Sequence, residues 1–157
     1  DANMRELLHT GWMSNRGRQN VASYLVLDLG LDWRVGADHF ESLLLDHDVS
    51  SNYGNWNAAA GLTGGRVNKF NCVKQSKDYD PQALYIKHWV PELQSVPVPM
   101  TFNPSALSPA EQTRCGIVVG SSATSREPST QPCAYYPKEL KSVFTYGGEA
   151  GRGREGE

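Results

Sequence analysis

The sequence predicts an all-α fold. Apolar residues recur at helical spacing in several segments, and no run of useful length alternates apolar and polar residues as a half-buried strand would. Glycines and prolines also stand where such segments would end or begin. A chain of 157 residues is long enough for one core and hardly for two.

Four helical segments are predicted in the first third of the chain. A short helix covers Asp1 to Leu8, and the most regular apolar spacing runs from Gly17 to Leu29. Gly30 follows it directly, as the glycine at a helix C-terminus does. A further helix is predicted from Gly36 to Leu45, and a shorter helical turn from Val49 to Gly54.

The next segment is predicted to be a loop followed by one more helix. The loop runs from Ala58 to Lys74 and is rich in glycine. Asp80 and Pro81 then provide an N-cap and a first-turn proline for a helix that continues to about Val90. Pro91 bounds that helix.

The composition changes from about Gln94. Seven of the nine prolines follow it, together with Ser/Thr clusters and a glycine-rich C-terminus. Such a composition buries too little apolar surface to offset its ordering entropy. The sequence therefore predicts a helical domain over residues 1–93 and a largely irregular tail over residues 94–157. Within the tail, residues 117–119 form an apolar island and residues 135–137 are expected to dock on the body.

Charge and cysteine content exclude several classes of protein. The net charge is −2 and the pI about 6.1, so any nucleic-acid contact must come from a local patch. The three cysteines lack a C-x-x-C pair, which argues against a disulfide scaffold and a zinc site and favours an intracellular location. No signal peptide or membrane-spanning run is present. Since the chain opens within a predicted helix and without Met, we expect a fragment.

Two arginines lie at the start of the most regular predicted helix. Arg16 and Arg18 flank Gly17, and a guanidinium offers five donors in a rigid fork that suits a carboxylate, a phosphate or the edge of a heteroaromatic ring. Solvated or helix-capping arginines are the alternative. Asn15, just ahead, fits a helix N-cap equally well. No acid lies between Gly11 and Arg18, which predicts a locally basic surface.

Two aspartates straddle a histidine after the predicted helix that ends at Leu45. Asp46 and Asp48 need partners if they are buried, and Arg18 is available for one of them. The alternative is a capped helix end with solvated acids. A metal site at Asp46, His47 and Asp48 is disfavoured because no second cluster of ligands exists.

Tryptophan is the third residue type of interest. Trp33 and Trp56 each lie beside a predicted helix boundary, and the default interpretation for both, as for Trp12 and Trp89, is a core residue.

Residues 10–24 and 44–56, taken together, closely resemble the flavin-binding region of the photolyase/cryptochrome family, and in particular the DASH-type cryptochromes. The resemblance is dense from Asp1 to about Leu93 and weaker beyond. It implies the C-terminal part of the helical domain that holds FAD in a U shape. The residues implied to bind FAD are Asn15, Arg18, Asp46, His47, Asp48 and Asn52.

The resemblance also implies roles for individual residues. Arg18 would pair with Asp46, and Asn52 would lie beside flavin N5, where the asparagine is the photolyase and DASH choice. Trp56 and Trp33 would be the inner and middle members of a chain that relays electrons to the flavin.

A separate set of residues is implied to face DNA. Asn15, Arg16 and Gln19 match family positions that face the DNA lesion. The implied function is blue-light repair of cyclobutane pyrimidine dimers in single-stranded DNA by electron transfer from reduced FAD. The alternatives are a photoreceptor or regulator that binds flavin and nucleic acid without repair, and a fragment that binds nothing alone.

The sequence departs from the family pattern in several places. Ala58 stands where repair enzymes usually place an aromatic ring against the lesion. The antenna-binding domain, which would take a folate in the full-length protein, has no counterpart here, nor does the segment that holds the flavin diphosphate. Chloroplast, mitochondrion and nucleus all stay open as locations, and no membrane or obligate protein partner is implied.

Overall fold

A computed structural model describes residues 1–117, and within them the chain forms helices and no strand. The predicted all-α class is confirmed for this part of the chain. The predictions for the apolar island beyond Ile117 and for residues 135–137 lie outside the described residues. The α-helices are α1 (Ala2–Thr10), α2 (Asn15–Ser23), α3 (Trp33–Leu43), α4 (Val49–Ala59), α5 (Cys72–Tyr79), α6 (Leu84–Trp89), α7 (Val98–Thr101) and α8 (Pro109–Cys115).

The first two predicted helices are present. Gly11 ends α1 in the left-handed conformation, with φ of 68°. Ser14 caps α2 by accepting a hydrogen bond from the Gly17 amide. α2 continues as a π-helical turn over Tyr24–Asp28, and Gly30 follows it with a positive φ of 66°, as the glycine signal predicts.

The third and fourth helices are both longer than predicted. α3 begins at Trp33 instead of Gly36, because the Asp32 carboxylate caps it by accepting from the Arg34 amide. The prediction of a short turn ending at Gly54 is wrong, since α4 continues to Ala59. Only Asn52 and Trp56 of α4 are buried, and one of these two is polar. The sequence of α4 therefore lacks the repeating apolar positions from which a helix of this length would be predicted.

The region between α4 and α6 also differs from the prediction. The predicted loop ends at Asn71, whose side chain caps α5 by accepting from the Lys74 amide. α6 begins at Leu84 and not at Pro81. The Asp80 carboxylate reaches past the turn and accepts from the amides of Tyr85 and Ile86, so it still serves the start of this helix.

Beyond Gln94, the described segment contains more regular structure than the predicted tail. It forms α7, a 3-10 turn at Pro104–Ala106 and α8. Prolines occupy the first turn of each, a position they tolerate, so they start these helices and do not interrupt them. Val96, Leu107 and Ile117 form a small second core beneath them.

The main core lies among α1 to α4 and is built around Met4, Leu7, Met13, Phe40 and Trp56. α3 packs along α4, and α2 contacts both α1 and α4. No helix of residues 1–117 is long and apolar enough to cross a membrane. This packing brings one face of α2 opposite α4.

Candidate functional site

A cavity of about 290 Å³ lies between α2 and α4. Its other walls are the α3–α4 connection and the loop between α4 and α5. Eight of the ten residues that the sequence singles out line it, and Ala58 does so as well. The eight are Asn15, Arg18, Gln19, Asp46, His47, Asp48, Asn52 and Trp56.

Arg18 and Asp46 form the ion pair that the sequence predicts. One guanidinium nitrogen of Arg18 donates to both carboxylate oxygens of Asp46 at 2.8 Å. The Nε atom donates to the backbone oxygen of Met13 at 2.9 Å, which fixes the guanidinium plane. Arg18 therefore spans the gap between α2 and the α3–α4 connection.

The residues after Asp46 present two different polar groups to the cavity. Asp48 caps α4 by accepting from the Ser51 amide at 2.7 Å, so this carboxylate serves the start of α4 and not the end of α3. The Nε2 atom of His47 is buried and has no hydrogen-bond partner within the described chain. An imidazole nitrogen held in this way is available to a polar atom of a ligand.

Asn52 is the buried polar residue of α4 and faces the cavity. Its Nδ2 donates to the backbone oxygen of Ala37 at 2.9 Å, which orients the amide and ties α4 to α3. No hydrogen bond from residues 1–117 reaches its Oδ1. Because the amide is held from one side only, its oxygen is left to accept from a group in the cavity.

Trp56 closes the bottom of the cavity and is 2% exposed. Its ring meets Phe40 edge-on, with centroids 5.1 Å apart. Gly36 of α3 lies against the other side of the indole, so close that a Cβ there would fall 2.2 Å from Cη2. The expectation of a core tryptophan is confirmed here.

Trp33 is half-buried and does not line the cavity. It packs on the same hydrophobic cluster that contains Trp56, and its ring meets Tyr53 edge-on at 6.3 Å. Trp12 is 51% exposed, so the expectation that it is a core residue is wrong.

Arg16 is the other predicted residue that the cavity does not include. Its guanidinium lies over two rings, 5.7 Å from the centroid of Phe70 and 5.2 Å from that of Tyr79. Asn15 and Gln19, by contrast, are exposed at the cavity. Asn15 is not the N-cap of α2, because Ser14 occupies that position.

Sequence reasoning missed the loop that forms the fourth wall. Arg66, Asn68 and Phe70 line the cavity, and the Phe70 amide donates to the buried Ser23 hydroxyl at 2.9 Å. An ion pair between Lys69 and Asp28 fastens the same loop to the end of α2. The available signal was a run of arginine, asparagine and lysine inside a glycine-rich segment.

The family described as the FAD binding domain of DNA photolyase matches residues 1–126 of this chain. The chain belongs to this family. A relative named "Cryptochrome DASH, chloroplastic/mitochondrial" from Ostreococcus tauri is 61% identical over 117 residues, which are 74% of this chain and 21% of the relative. One named "Cryptochrome DASH" from Gloeobacter violaceus is 54% identical over 124 residues, 76% of this chain and 24% of the relative.

Solved structures agree with this assignment. A Synechocystis cryptochrome superposes with a TM-score of 0.73 at 45% identity, covering 92% of this chain and 29% of that protein. A photolyase from Sulfolobus tokodaii, described with two FAD molecules, gives 0.64 at 30% identity, covering 92% of this chain and 31% of that protein. The chain thus spans between about a fifth and a third of these relatives.

The residues that line the cavity fit part of FAD, the cofactor of this family. Apolar walls from Ala22, Phe40 and Leu44 surround a few convergent polar groups, as in small-molecule sites generally. His47 Nε2 has no hydrogen-bond partner among the described residues, and the Asn52 amide uses only its nitrogen, so both can bind polar atoms of a ligand. Its volume is at the small end of ligand pockets, which run from about 300 to 1,000 Å³. A dinucleotide would therefore extend beyond these walls.

No group of three or more His, Cys, Asp or Glu side chains within residues 1–117 is placed to hold a metal ion.

Proposed function

We propose that this chain supplies the flavin-ring side of the FAD site in a DASH-type cryptochrome that repairs cyclobutane pyrimidine dimers under blue light. When bound, FAD supplies the light absorption and the one-electron chemistry of such a reaction. The observation that carries the proposal is the gathering of Arg18, Asp46, His47, Asp48 and Asn52 around one cavity.

Each of these residues has a defined task in holding the flavin. Arg18 is pre-oriented by Asp46 and Met13, so it presents its remaining N–H groups without further ordering. Asn52 is held by the backbone of Ala37 and would offer its oxygen to the flavin ring, and His47 and Asp48, which also line the cavity, would contact the cofactor beside it. Asn15 completes the binding set from the first turn of α2.

The electron relay is assigned to Trp56 and Trp33. Trp56 lines the cavity, and Trp33 packs against the hydrophobic cluster that contains Trp56. Aromatic side chains that pack on one core can pass an electron between them, which supports this assignment. The direction of the relay is from Trp33 through Trp56 toward the cavity.

The DNA contact is assigned to Asn15, Arg16 and Gln19. Asn15 and Gln19 are exposed where the cavity opens, so a base that leaves the stack would meet them first. Unstacking costs least in single-stranded DNA, which makes single strands the preferred substrate. Arg16, lying over two rings, supplies a positive charge near the same opening.

A photoreceptor or regulator that binds flavin and nucleic acid without repair is the second candidate function. Ala58 favours it, because this small residue lines the cavity where repair enzymes place an aromatic ring. Without that ring, one stacking partner for a flipped lesion is missing.

The test of flavin binding is the absorption spectrum of the purified chain after incubation with FAD and desalting. Retained flavin bands that bleach under blue light with a reductant support the proposal. Asn52→Asp is then expected to change which reduced state accumulates. A folded chain that retains no flavin contradicts the assignment of a usable site to this chain.

Repair and signalling are separated by a second measurement on the loaded protein. Single-stranded DNA that contains pyrimidine dimers is illuminated, and dimer loss is followed against a dark control. Light-dependent loss supports repair, whereas DNA binding without dimer loss supports the regulator.

For location, we propose an intracellular compartment. The Ostreococcus tauri relative carries "chloroplastic/mitochondrial" in its name, which supports an organelle for this chain.

A further inference from the structure

Tyr53 occupies a position on α4 that the proposed flavin site does not use. It follows Asn52 in the chain but is absent from the cavity lining, and it packs on the main core from the α3 side. Its hydroxyl lies 2.8 Å from Oδ1 of Asp38 and 2.8 Å from Oε2 of Glu41, both on α3. A phenol has one proton to donate, so two carboxylates share a single donor.

The ring of Tyr53 meets the ring of Trp33. The centroids are 6.3 Å apart and the planes are inclined at 85°, an edge-to-face contact. Trp33 is the residue assigned above to the middle of the electron relay. The chain therefore places a phenol in contact with that indole and a base in contact with that phenol.

This arrangement matches what the oxidation of a tyrosine requires. An oxidised phenol is a strong acid, so electron loss is favourable only where the proton has an acceptor at hydrogen-bond distance. The hydrogen bonds to Glu41 and Asp38 raise the pKa of Tyr53 above its ordinary value. The hydroxyl therefore keeps its proton at neutral pH until an electron is removed.

We propose that Tyr53 is an electron donor to oxidised Trp33, with Asp38 or Glu41 as the proton acceptor. The inference rests on the proposed function, because the electron vacancy at Trp33 originates in a photoexcited flavin in the cavity. The contacts of Tyr53 with Trp33 and with the two carboxylates are present without the flavin.

Trp33 would have lost one electron through Trp56 to a photoexcited flavin in its oxidised form, which is the oxidant; the fully reduced flavin of the repair reaction could not accept it. One electron then passes from the phenol of Tyr53 to Trp33, which returns to its neutral state. The O–H bond of Tyr53 breaks, the proton joins a carboxylate oxygen of Asp38 or Glu41, and a neutral tyrosyl radical is left on α4.

The consequence is a longer-lived separation of charge. An electron that returns from the cavity to Trp33 meets a neutral indole, and the remaining vacancy resides on a deprotonated phenol. Recombination then requires the return of a proton as well as an electron. If Tyr53 only joined α4 to α3 through its hydrogen bonds, it would not change the lifetime of the separated charges.

The experiment replaces the flavin by an external oxidant, so that it does not depend on FAD binding. The full chain, with Trp12→Phe and Trp89→Phe to leave Trp33 and Trp56, is mixed with a photoexcited ruthenium tris-bipyridine complex and persulfate. Transient absorption follows the tryptophan radical, and electron paramagnetic resonance identifies the tyrosyl radical. Tyr53→Phe is compared with Tyr79→Phe, whose side chain is exposed.

The expected result is a tryptophan radical that decays as a tyrosyl radical forms, more slowly in D₂O. Tyr53→Phe removes the tyrosyl signal that rises as the tryptophan radical decays, and it lengthens the tryptophan lifetime. Tyr79→Phe can lose only a tyrosyl signal that the oxidant forms directly at this exposed side chain, and it leaves the coupled tryptophan decay and tyrosyl rise unchanged. Asp38→Asn combined with Glu41→Gln keeps the phenol, lengthens the lifetime and removes the deuterium effect.

Two results would overturn the inference. Circular dichroism first shows which of the two variants, Tyr53→Phe and the carboxylate double variant, remain folded. One contradicting result is an unchanged lifetime of the tryptophan radical in a folded variant. The other is an undiminished Tyr53 radical in Trp33→Phe, which would mean that the oxidant reaches the phenol directly. A chain that fails to bind FAD leaves all these measurements unaffected, so failure of the proposed function is seen separately.

Discussion

Gly36→Ala is the substitution that tests most closely how Trp56 is held. A Cβ at position 36 would lie 2.2 Å from Cη2, 2.4 Å from Cζ3 and 2.8 Å from Cζ2 of the indole. Trp56 is 2% exposed and has Phe40 on another side, so the ring cannot move without disturbing the core or entering the cavity.

The size of the effect of Gly36→Ala on the free energy of unfolding is estimated by comparison with a glycine on the neighbouring helix. Gly54 lies inside α4, and a Cβ there would meet no atom within 4 Å. Gly→Ala in a helix interior stabilises by about 0.5–1 kcal/mol, so Gly54→Ala is expected to raise the free energy of unfolding by that amount. Gly36→Ala carries the same helix term and an overpacking cost of about 1–3 kcal/mol.

The two variants are therefore expected to differ by about 1–3 kcal/mol in the free energy of unfolding, with Gly36→Ala the less stable. Urea unfolding followed by tryptophan fluorescence and circular dichroism measures this difference. Gly36→Ala is also expected to bind FAD more weakly, because the displaced indole narrows the cavity. Equal stability of the two variants would refute the packing argument.

Three further predictions concern other contacts. Arg18→Ala is expected to lower the free energy of unfolding by no more than about 1 kcal/mol, since its partner Asp46 is half exposed, and to weaken FAD binding about tenfold or more in a fluorescence titration. Arg5 holds the pKa of Glu92 below its usual range through a bidentate hydrogen bond. That pair therefore contributes its full stabilisation above the ordinary glutamate pKa of about 4.3, and the contribution is lost as the pH falls through the lower pKa of the folded state. Glu92→Gln should reduce this pH dependence of the free energy of unfolding in acid titrations. Ser108→Ala removes the capping box of α8 and should destabilise that helix by about 1 kcal/mol, visible as faster local amide exchange.

Much of the fold follows from local sequence signals. Helical spacing from Gly17 to Leu29 and the glycine at position 30 predict α2 and its end, because that helix buries one apolar side against the core. α4 was predicted too short for the opposite reason. Its inner side faces a polar cavity, so a functional surface takes the place of the apolar stripe on which sequence reasoning depends.

Sequence reasoning singled out most of the residues that line one side of the cavity, but it did not predict the loop that closes the cavity on the other side. The need of a carboxylate for a partner predicts that Arg18 pairs with one of the two aspartates, and the family resemblance implies that this one is Asp46, as the structure shows. The contribution of Arg66 and Phe70 depends on a hydrogen bond from the Phe70 amide to Ser23, which is 47 residues away along the chain. No local pattern encodes such a contact, so the loop wall appears only in the structure.

The tail shows the limit of an argument from composition. Its prolines and Ser/Thr clusters predict a largely irregular segment, yet Pro104 and Pro109 are each the first residue of a helical turn. The Ser108–Glu111 capping box is a local signal for the start of a helix that composition leaves out.

The central claim is that the cavity between α2 and α4 holds the flavin ring of FAD, and a matched pair of arginine variants tests it most directly. Arg18 and Arg34 are each paired with an aspartate, but only Arg18 lines the cavity. Isothermal titration of FAD and of riboflavin into the folded chain, Arg18→Ala and Arg34→Ala measures both ligands. The account predicts saturable binding of both, weakened by Arg18→Ala and unchanged by Arg34→Ala. Equal affinities in the two variants, or no saturable binding to the folded chain, would contradict it.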